Sequence, residues 1–211
     1  MPAAESSDPK RIVSAEFVAG ATQLDQLPPP ALVEVAFAGR SNVGKSSLMN
    51  ALCSRRNLVR TSSTPGCTRQ VSFFHVRTAD QAELMLVDLP GYGYAKRSKA
   101  ERKQWAELIE GYLLGRPTLR VVVSLLDVRR GPEPDDAELL QLLRSEPRVS
   151  RPALGILSVG TKLDRLPYNQ RKLAEQSLKK ALGTEVHAVS TELPETQSRV
   201  WRRIRTLAGL L

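Results

Sequence analysis

The chain has 211 residues, of which 41% are hydrophobic and 25% are charged, so it is long enough for one domain with a sizeable core and too apolar for a disordered chain. Its formal net charge of +9 favours a polyanionic partner, most often nucleic acid, over the alternative that the charge only keeps the protein in solution. The two cysteines, Cys53 and Cys67, lack the C-x-x-C or Cys/His surroundings of a metal or redox site.

Residues 1–11 are polar and small, and we expect a disordered tail there, followed by a single domain over residues 12–211. No segment approaches the ~20 consecutive apolar residues of a membrane span, and the first residues contain no apolar core of a secretory signal. Together with two unpaired thiols, these features predict a cytoplasmic protein that does not associate with membranes.

From residue 32 onward, strand-like and helix-like patterns alternate along the chain. Runs typical of strands cover residues 32–39, 71–77, 83–90, 119–127, 153–160 and 185–190. Patterns typical of helices cover residues 45–53, 98–115, 134–145, 168–183 and 196–211. Repeated βα units predict an α/β fold with a mostly parallel sheet that is covered by helices on both faces. The second and third strand runs form a hairpin, which adds one antiparallel strand.

The segment GRSNVGKSS follows the first strand run and opens the first helix. Its residues Gly39 to Ser46 fit the phosphate-binding pattern G-x-x-x-x-G-K-[ST] in full. Gly39 and Gly44 permit a tight backbone path, so that successive N–H groups and the helix start face the phosphates. Lys45 then reaches the β- and γ-phosphates, and the Ser46 hydroxyl ligates Mg²⁺. The nucleotide-binding residues predicted here are Gly39, Arg40, Ser41, Asn42, Val43, Gly44, Lys45, Ser46 and Ser47.

The second motif, DLPG, lies at the end of the third strand run. Asp88 is placed to hold Mg²⁺ through a water molecule, and the Gly91 N–H to meet the γ-phosphate. Alone, D-x-P-G is an ordinary turn, but here it lies at the carboxyl end of a strand, downstream of a complete P-loop. The predicted binding residues are Asp88, Leu89, Pro90 and Gly91.

The third motif, TKLD, follows the fifth strand run and selects the base. Asp164 can accept hydrogen bonds from N1–H and the exocyclic amine of guanine, a pair of donors that adenine lacks. Thr161 replaces the more common Asn and can make fewer hydrogen bonds, and the stem of Lys162 can cover the base plane. The last strand run ends in VST, where a loop N–H would reach guanine O6. The predicted residues are Thr161, Lys162, Leu163, Asp164, Val189, Ser190 and Thr191.

A polar loop with several hydroxyl groups separates the P-loop helix from the hairpin. A GTPase needs one threonine in this loop to cap Mg²⁺ and the γ-phosphate. Thr61, Thr64 and Thr68 are all candidates, and their spacing does not decide among them.

Five segments of the chain match one known family in order and spacing: FAGRSNVGKSSLMNAL, TSSTPGCTRQVSFF, DLPGYGYAK, LLDVRRGPEPDD and TKLD. From about residue 12 to the C-terminus, the chain resembles the EngB-type ribosome-biogenesis GTP-binding proteins of the TrmE–Era-like superfamily. The resemblance implies a Ras-like P-loop G domain with a six-stranded sheet that binds GTP or GDP with Mg²⁺. It also implies a role in assembly of the bacterial large ribosomal subunit, with a scaffold role in cell division and septation as the alternative.

The resemblance also selects one threonine, since the last Thr of the family's PGxT motif is the switch threonine and corresponds to Thr68. Thr68 would then ligate Mg²⁺. The loop residues implied to line the nucleotide are Gly66, Cys67, Thr68, Arg69 and Gln70. The chain departs from the family at Leu163, where Ala is common, and at Cys67 and Arg69, where Lys or Arg and Gln are usual. These departures leave nucleotide binding intact.

Tyr92 occupies the position after DxxG at which Ras-like enzymes use Gln to orient the attacking water. A phenol cannot donate to and accept from that water as an amide does, so we expect slow intrinsic hydrolysis. Two forms of assistance stay open: a ribosomal group supplied in trans, or K⁺ bound with Asn42 as a ligand. Local loop bonding explains Asn42 equally well. The residues predicted to act in catalysis are Lys45, Thr68, Gly91 and Asn42.

Basic residues cluster in AKRSKAERK, directly after DLPG, and in RVWRRIR of the last helix. The first cluster favours contact with rRNA phosphates that depends on the bound nucleotide, and the second is either an rRNA contact or a solvated face. The two clusters comprise Lys96, Arg97, Lys99, Arg102 and Lys103, and Arg199, Arg202, Arg203 and Arg205. The predicted partner is the large ribosomal subunit or its precursor, bound by a monomer.

Two other classes of function stay open. A P-loop kinase would need a second substrate site and an Arg-bearing lid, and it would not need TKLD. A cell-division scaffold would bind the nucleotide as a structural ligand. Phosphate transfer to an acceptor would identify the kinase, and nucleotide-selective binding to 50S particles would argue against the scaffold.

Overall fold

The computed structural model describes residues 10–55, 57–59, 70–93 and 99–210, with the backbone alone for residues 99–102. This part of the chain contains seven strands and five α-helices, and from the fourth strand onward the strands and α-helices alternate. The strands are β1 (Ile12–Ala21), β2 (Glu34–Gly39), β3 (Val71–Thr78), β4 (Glu83–Asp88), β5 (Leu119–Asp127), β6 (Gly155–Thr161) and β7 (Val186–Ala188). The helices are α1 (Lys45–Leu52), α2 (Lys99–Gly115), α3 (Pro134–Leu143), α4 (Tyr168–Leu182) and α5 (Pro194–Ala208).

The strands form one sheet in the order β1-β3-β4-β2-β5-β6-β7. Strands β4, β2, β5, β6 and β7 pair in parallel, whereas β3 pairs antiparallel with both β4 and β1. Strand β3 therefore runs alone against the others, which confirms the predicted α/β fold with a mostly parallel sheet and one antiparallel strand. The sheet has seven strands, however, and not the predicted six, because β1 adds one at the edge.

Strand β1 is hard to detect in the sequence because its burial is irregular. Only Ile12, Ala15 and Ala21 are buried along its length, and its register with β3 shifts twice. Such bulges break the alternation of apolar and polar residues by which strands are recognised. As an edge strand, β1 also leaves Phe17 and Val18 exposed, which blurs the pattern further.

Helices cover both faces of the sheet. Helices α1 and α5 pack on one face in a cluster that includes Leu48, Trp201 and the buried side of β1. Helices α2 and α3 pack on the other face around Phe73 and Tyr112, and a smaller cluster around Leu178 holds α4 against β7. Burial on both faces explains the continuous apolar run of β5. Within the described residues, no helix combines the length and the apolar character of a membrane span.

The amino end of β2 carries a buried carboxylate, that of Glu34. The Arg116 guanidinium donates to it through Nε at 2.8 Å and Nη2 at 2.6 Å. The hydroxyls of Tyr112 and Thr118 each donate to it at 2.8 Å. Burial, and next the charge of Glu34, raise the pKa of Tyr112 well above its usual value. This network ties the C-terminal end of α2 to the sheet, at the edge opposite the P-loop.

Arg205 of α5 is buried, which corrects its assignment to a solvent-facing basic surface. Its Nη2 donates to Asp80 Oδ2 at 2.6 Å, in the turn between β3 and β4. Trp201 and Ala208 lie four and three residues from Arg205, so the three side chains share the buried face of the helix. The arginines of this cluster that remain at or near the surface are Arg199, Arg202 and Arg203.

Candidate functional site

The three predicted motifs meet at the carboxyl edge of the sheet. Strands β2, β4, β5 and β6 end there, at Gly39, Asp88, Asp127 and Thr161. Because parallel strands end side by side, the P-loop, DLPG and TKLD segments become neighbours, as ligand sites in open α/β sheets require. The end of β5 adds Asp127, a residue that belongs to none of the three sequence motifs.

The P-loop turns tightly between β2 and α1. Asn42 and Gly44 adopt positive φ angles of 62° and 107°, and Asn is one of the few residues besides Gly that tolerate this region. Gly39 has no room for a side chain, since a Cβ would lie 2.9 Å from Val43 Cγ1 and 3.0 Å from the Leu125 carbonyl oxygen. The turn leads directly into a helix start, an arrangement in which backbone N–H groups bind phosphates.

Lys45 and Asp88 form a buried ion pair next to the P-loop, with Nζ in contact with Oδ1. A buried carboxylate needs a counter-charge, and Lys45 provides it. Ser46 follows Lys45 in the first turn of α1. The donor set of a hydroxyl, a carboxylate and an ammonium group fits a phosphate bound with Mg²⁺, because Mg²⁺ takes oxygen ligands and the ammonium group complements the phosphate charge.

The DLPG segment is docked onto the P-loop through the backbone. The Ser41 N–H donates to the Tyr92 carbonyl at 3.0 Å, and the Tyr92 N–H donates to the Gly39 carbonyl at 3.4 Å. Gly91 lies so close that a Cβ would come within 3.0 Å of Ser41 N and Cα. Contact with the P-loop therefore requires glycine at position 91 and places this segment beside the turn between β2 and α1.

The side chain of Tyr92 reaches the start of α3. Its hydroxyl donates to Asp136 Oδ1 at 2.7 Å, and burial, followed by the charge of Asp136, raises the pKa of Tyr92 far above its usual value. Arg40 binds the same helix start, through Nη1 to Asp135 Oδ2 at 2.7 Å and Nη2 to Glu133 Oε2 at 3.1 Å. In the sequence, the helix dipole alone accounts for the acids of PDD, so Asp136 gives no separate sign of this contact.

A cleft of about 190 Å³ lies between the P-loop and the end of β7, with Asp164 and Thr191 in its wall. We call it the base cleft, after the ligand that TKLD predicts. The Ser190 hydroxyl donates to Asp164 Oδ1 at 2.8 Å and orients the carboxylate. Arg165 Nε lies 3.2 Å from the other oxygen of Asp164. The carboxylate keeps acceptor capacity on both oxygens, which suits the adjacent N1–H and amine donors of guanine.

Thr161 joins this cleft to the P-loop. Its hydroxyl lies 2.5 Å from the Val43 carbonyl oxygen and 3.0 Å from that of Leu126, so its single proton is shared between two acceptors. Threonine has fewer donors than the Asn common at this position, yet it makes the contact between the TKLD loop and the P-loop turn.

Lys162 makes a second connection between the same two loops. Its Nζ donates to the Asn42 carbonyl at 2.6 Å and lies 3.1 Å from Asp127 Oδ2. Burial by itself would raise the pKa of Asp127, but hydrogen bonds from Arg129 and Lys162 hold that pKa well below its usual range. Asp127 is therefore an ionised anchor that fixes the lysine stem beside the base cleft.

The backbone of VST offers one amide to a ligand. The Val189 N–H donates to the Gly160 carbonyl at 2.7 Å, and the Ser190 N–H to Thr196 Oγ1 at 3.1 Å. Among the described residues, none accepts a hydrogen bond from the Thr191 N–H, and Thr191 lines the cleft. Thr191 is therefore the residue of this segment whose amide can meet an acceptor on the base.

Two residues predicted to bind nucleotide direct their side chains elsewhere. Leu163 is buried in the cluster around Leu178, because an apolar side chain at this position completes the packing of α4. Gln70 packs over Gly20 of β1, where a Cβ would lie 2.5 Å from its side chain, and its Nε2 donates to Ser72 Oγ at 3.3 Å. Neither side chain lines the P-loop or the base cleft.

Part of the predicted site lies outside the described residues. This applies to the loop before β3 and to the start of the basic segment after DLPG. The residues concerned are Thr61, Thr64, Gly66, Cys67, Thr68, Arg69, Lys96 and Arg97.

Comparison with known proteins agrees with this geometry. The family described as 50S ribosome-binding GTPase matches residues 34–158. A probable GTP-binding protein EngB of Geobacter metallireducens is 44% identical over 200 residues, which cover 93% of this chain and 93% of that protein. Its counterpart in Exiguobacterium sp. is 41% identical, with 93% and 97% covered. A crystal structure of a probable GTP-binding protein EngB superimposes with a TM-score of 0.63 at 22% identity, covering 84% of this chain and 99% of that one.

Proposed function

The chain belongs to the EngB family of GTP-binding proteins and is a GTPase, and from this premise we propose that it acts as a GTP-controlled switch in assembly of the bacterial large ribosomal subunit. Nucleotide binding is supported by the hydrogen bonds from Thr161 and Lys162 to the P-loop backbone. These bonds hold the base cleft next to the P-loop turn, so that a single nucleotide can occupy both. The family description supports the ribosomal part. In this proposal residues 12–211 act as one monomeric G domain in the cytoplasm.

Guanine would bind in the cleft beside Asp164. The carboxylate, oriented by Ser190, would accept from N1–H and the exocyclic amine, and the Thr191 amide would donate to O6. The stem of Lys162 would cover the base. Adenine would leave the Asp164 carboxylate without these donors, so the site is expected to reject ATP.

The phosphates would bind at the P-loop turn and the start of α1. Lys45 would exchange its contact with Asp88 for oxygens of the β- and γ-phosphates. Ser46, Asp88 through a water, and Thr68 would hold Mg²⁺. When bound, Mg²⁺ neutralises phosphate charge during transfer to water. The Gly91 amide would contact the γ-phosphate and so sense its loss.

Intrinsic hydrolysis is expected to be slow, because the hydroxyl of Tyr92 is engaged by Asp136 and no amide side chain takes its place after DxxG. Help would come from a ribosomal group or from K⁺ bound near Asn42. The positive φ of Asn42 supplies a separate reason for this residue. The K⁺ proposal predicts faster hydrolysis in K⁺ than in Na⁺, and loss of the difference in Asn42→Ala. Equal hydrolysis rates in K⁺ and Na⁺, unchanged by the substitution, would exclude K⁺ and leave a ribosomal group as the source of assistance.

Ribosome binding is proposed to use the basic segment after DLPG and the outward arginines of α5. The basic segment directly follows DLPG, which is docked on the P-loop. Contact of this segment with RNA would therefore depend on whether the γ-phosphate is present. Arg205 is withdrawn from this surface because it is buried against Asp80.

The test is co-sedimentation of the protein with purified 50S subunits under GDP, a non-hydrolysable GTP analogue, or no nucleotide. We expect tighter binding with the analogue, with a steep decrease as salt rises. A Lys45→Ala variant is the control, since it should lose the difference between nucleotides. Equal binding in all three conditions would contradict the switch, and no binding would favour the scaffold role in cell division.

A further inference from the structure

The first two turns of α4 expose an aromatic ring among basic side chains. Tyr168 is 87% exposed, more than any other large hydrophobic side chain in the described part of the chain, and Leu173 is 65% exposed. Arg171 and Lys172 lie between them, and Arg165, whose side chain is 68% exposed, precedes the helix. We refer to these five residues as the α4 surface.

Arg171 positions the ring of Tyr168. Its Nε donates to the Leu166 carbonyl at 3.2 Å, and its guanidinium carbon lies 5.9 Å from the ring centroid. A cation at this distance is attracted to the ring. The guanidinium group therefore lies over one face of the ring, and the exposure of Tyr168 leaves the rest of the ring open to solvent.

Few carboxylates neutralise the positive charge of the α4 surface. Within the described residues, no carboxylate lies within ion-pair distance of Arg171 or Lys172. Asp164, which contacts Arg165, is bound by Ser190 in the base cleft, and Glu175 of the same helix lies 3.8 Å from Arg199. Arg171, which is held against the ring, and Lys172 therefore adjoin Tyr168 without a carboxylate partner among the described residues.

A base can stack on an open aromatic ring, and cations on either side can bind the neighbouring phosphates. A duplex keeps its base faces stacked inside, so the ring favours unpaired RNA. We propose that the α4 surface binds an unpaired nucleotide of ribosomal RNA, with its base on Tyr168 and the flanking phosphates at Arg165 and Lys172. This inference rests on the proposed ribosomal function and adds a site to it.

The location of the surface gives the inference a distinctive consequence. Arg165 lines the base cleft, whereas the γ-phosphate would lie beside Gly91, at the DLPG segment. RNA binding at the α4 surface is therefore expected to be equal in the GDP and GTP-analogue forms, unlike binding through the segment after DLPG.

The experiment uses the full-length protein loaded with GDP and a fluorescent 12-nucleotide RNA of A and C, which cannot pair with itself. Tyr168→Leu is expected to weaken binding about 10-fold, and Tyr168→Phe, which keeps the ring, by less than about twofold. Lys172→Gln should reduce the salt dependence of binding by about 0.7 in log–log slope, because one phosphate contact is lost. Arg144→Gln, at an exposed arginine that caps the C-terminal end of α3, is the charge control and should leave the ring effect intact.

Wild-type affinity in Tyr168→Leu, or equal losses in the Leu and Phe variants, would overturn the inference. Co-sedimentation with 50S subunits separates it from the proposed function. If wild-type protein binds the subunit and Tyr168→Leu binds equally well, the surface is wrong and the ribosomal function stands. If Tyr168→Leu loses subunit binding but not binding of the RNA probe, the surface meets a ribosomal protein, which also contradicts the inference. If wild-type protein binds the RNA probe but does not bind the 50S subunit, the proposed ribosomal function is wrong.

Discussion

The hydroxyl of Tyr92 donates a 2.7 Å hydrogen bond to the carboxylate of Asp136, so the residue after DLPG is tied to α3. The backbone of the same residue pairs with Gly39 and Ser41 of the P-loop. One residue thus joins three segments, and its hydroxyl is engaged by α3. A hydroxyl engaged in this way is not available to orient the attacking water, as the Gln after DxxG does in Ras-like enzymes.

Tyr92→Phe should therefore separate stability from catalysis. Loss of a buried hydrogen bond to a carboxylate is expected to lower the free energy of unfolding by about 1.5 kcal/mol. Hydrolysis in single turnover should stay within about twofold of wild type, since the phenol does not orient water. Thermal denaturation and phosphate release measure the two quantities. A rate loss of roughly tenfold or more in a folded variant would show that the phenol takes part in the reaction.

Asp164→Asn should change the base that is bound. An amide cannot accept from both guanine donors, so we expect GTP affinity to fall by roughly 100-fold or more. Xanthine carries an acceptor in place of the exocyclic amine, so affinity for XTP should rise. Competition binding with GTP, XTP and ATP measures the switch, and Glu192→Gln at the cleft rim is the control. Unchanged preference for GTP would place the base elsewhere.

Glu34→Gln should destabilise the fold without changing nucleotide affinity. The substitution leaves the buried Arg116 without its counter-charge, which is expected to cost about 3 kcal/mol. Glu34 begins β2 and Gly39 ends it, so the network lies ~17 Å from the P-loop along the strand. Chemical denaturation and GDP titration test the two parts, with the exposed Glu83→Gln as control. A large loss of GDP affinity in folded protein would reveal coupling through β2.

Asp80→Asn should destabilise the protein in a manner that depends on pH. The Thr78 hydroxyl and, against the effect of burial, Arg205 hold the pKa of Asp80 below its usual value. A lowered carboxyl pKa contributes stability above the unfolded pKa of about 3.9, and this stability is lost as pH falls through the folded pKa. The stability difference between wild type and variant should therefore be full at pH 7 and shrink under acid conditions. A difference independent of pH would assign the effect to packing alone.

The motifs and the interior strands were predictable from the sequence because their information is local. The P-loop, Asp88 and TKLD each follow an apolar strand, and parallel pairing then brings them together. The contact from Tyr92 to Asp136 joins residues 44 positions apart and appears only once α3 packs beside the P-loop. For Arg205 the sequence predicts exposure, because a charged helix residue is usually exposed. Its burial depends on Asp80, a partner in a distant turn that the sequence does not reveal. The irregular burial of β1 hides a strand for a third reason, its bulges.

Strand β1 has a consequence for self-association through the edge of the sheet. It covers the outer N–H and C=O groups of β3, whose sequence VSFFHV is apolar and rich in β-branched and aromatic residues. Removal of residues up to 21 would expose the edge of β3. The β3 edges of two molecules could then pair through backbone hydrogen bonds. Strand β1 has an open outer edge of its own, but its two register shifts make that edge a poor template for pairing, so we expect the strand to limit self-association.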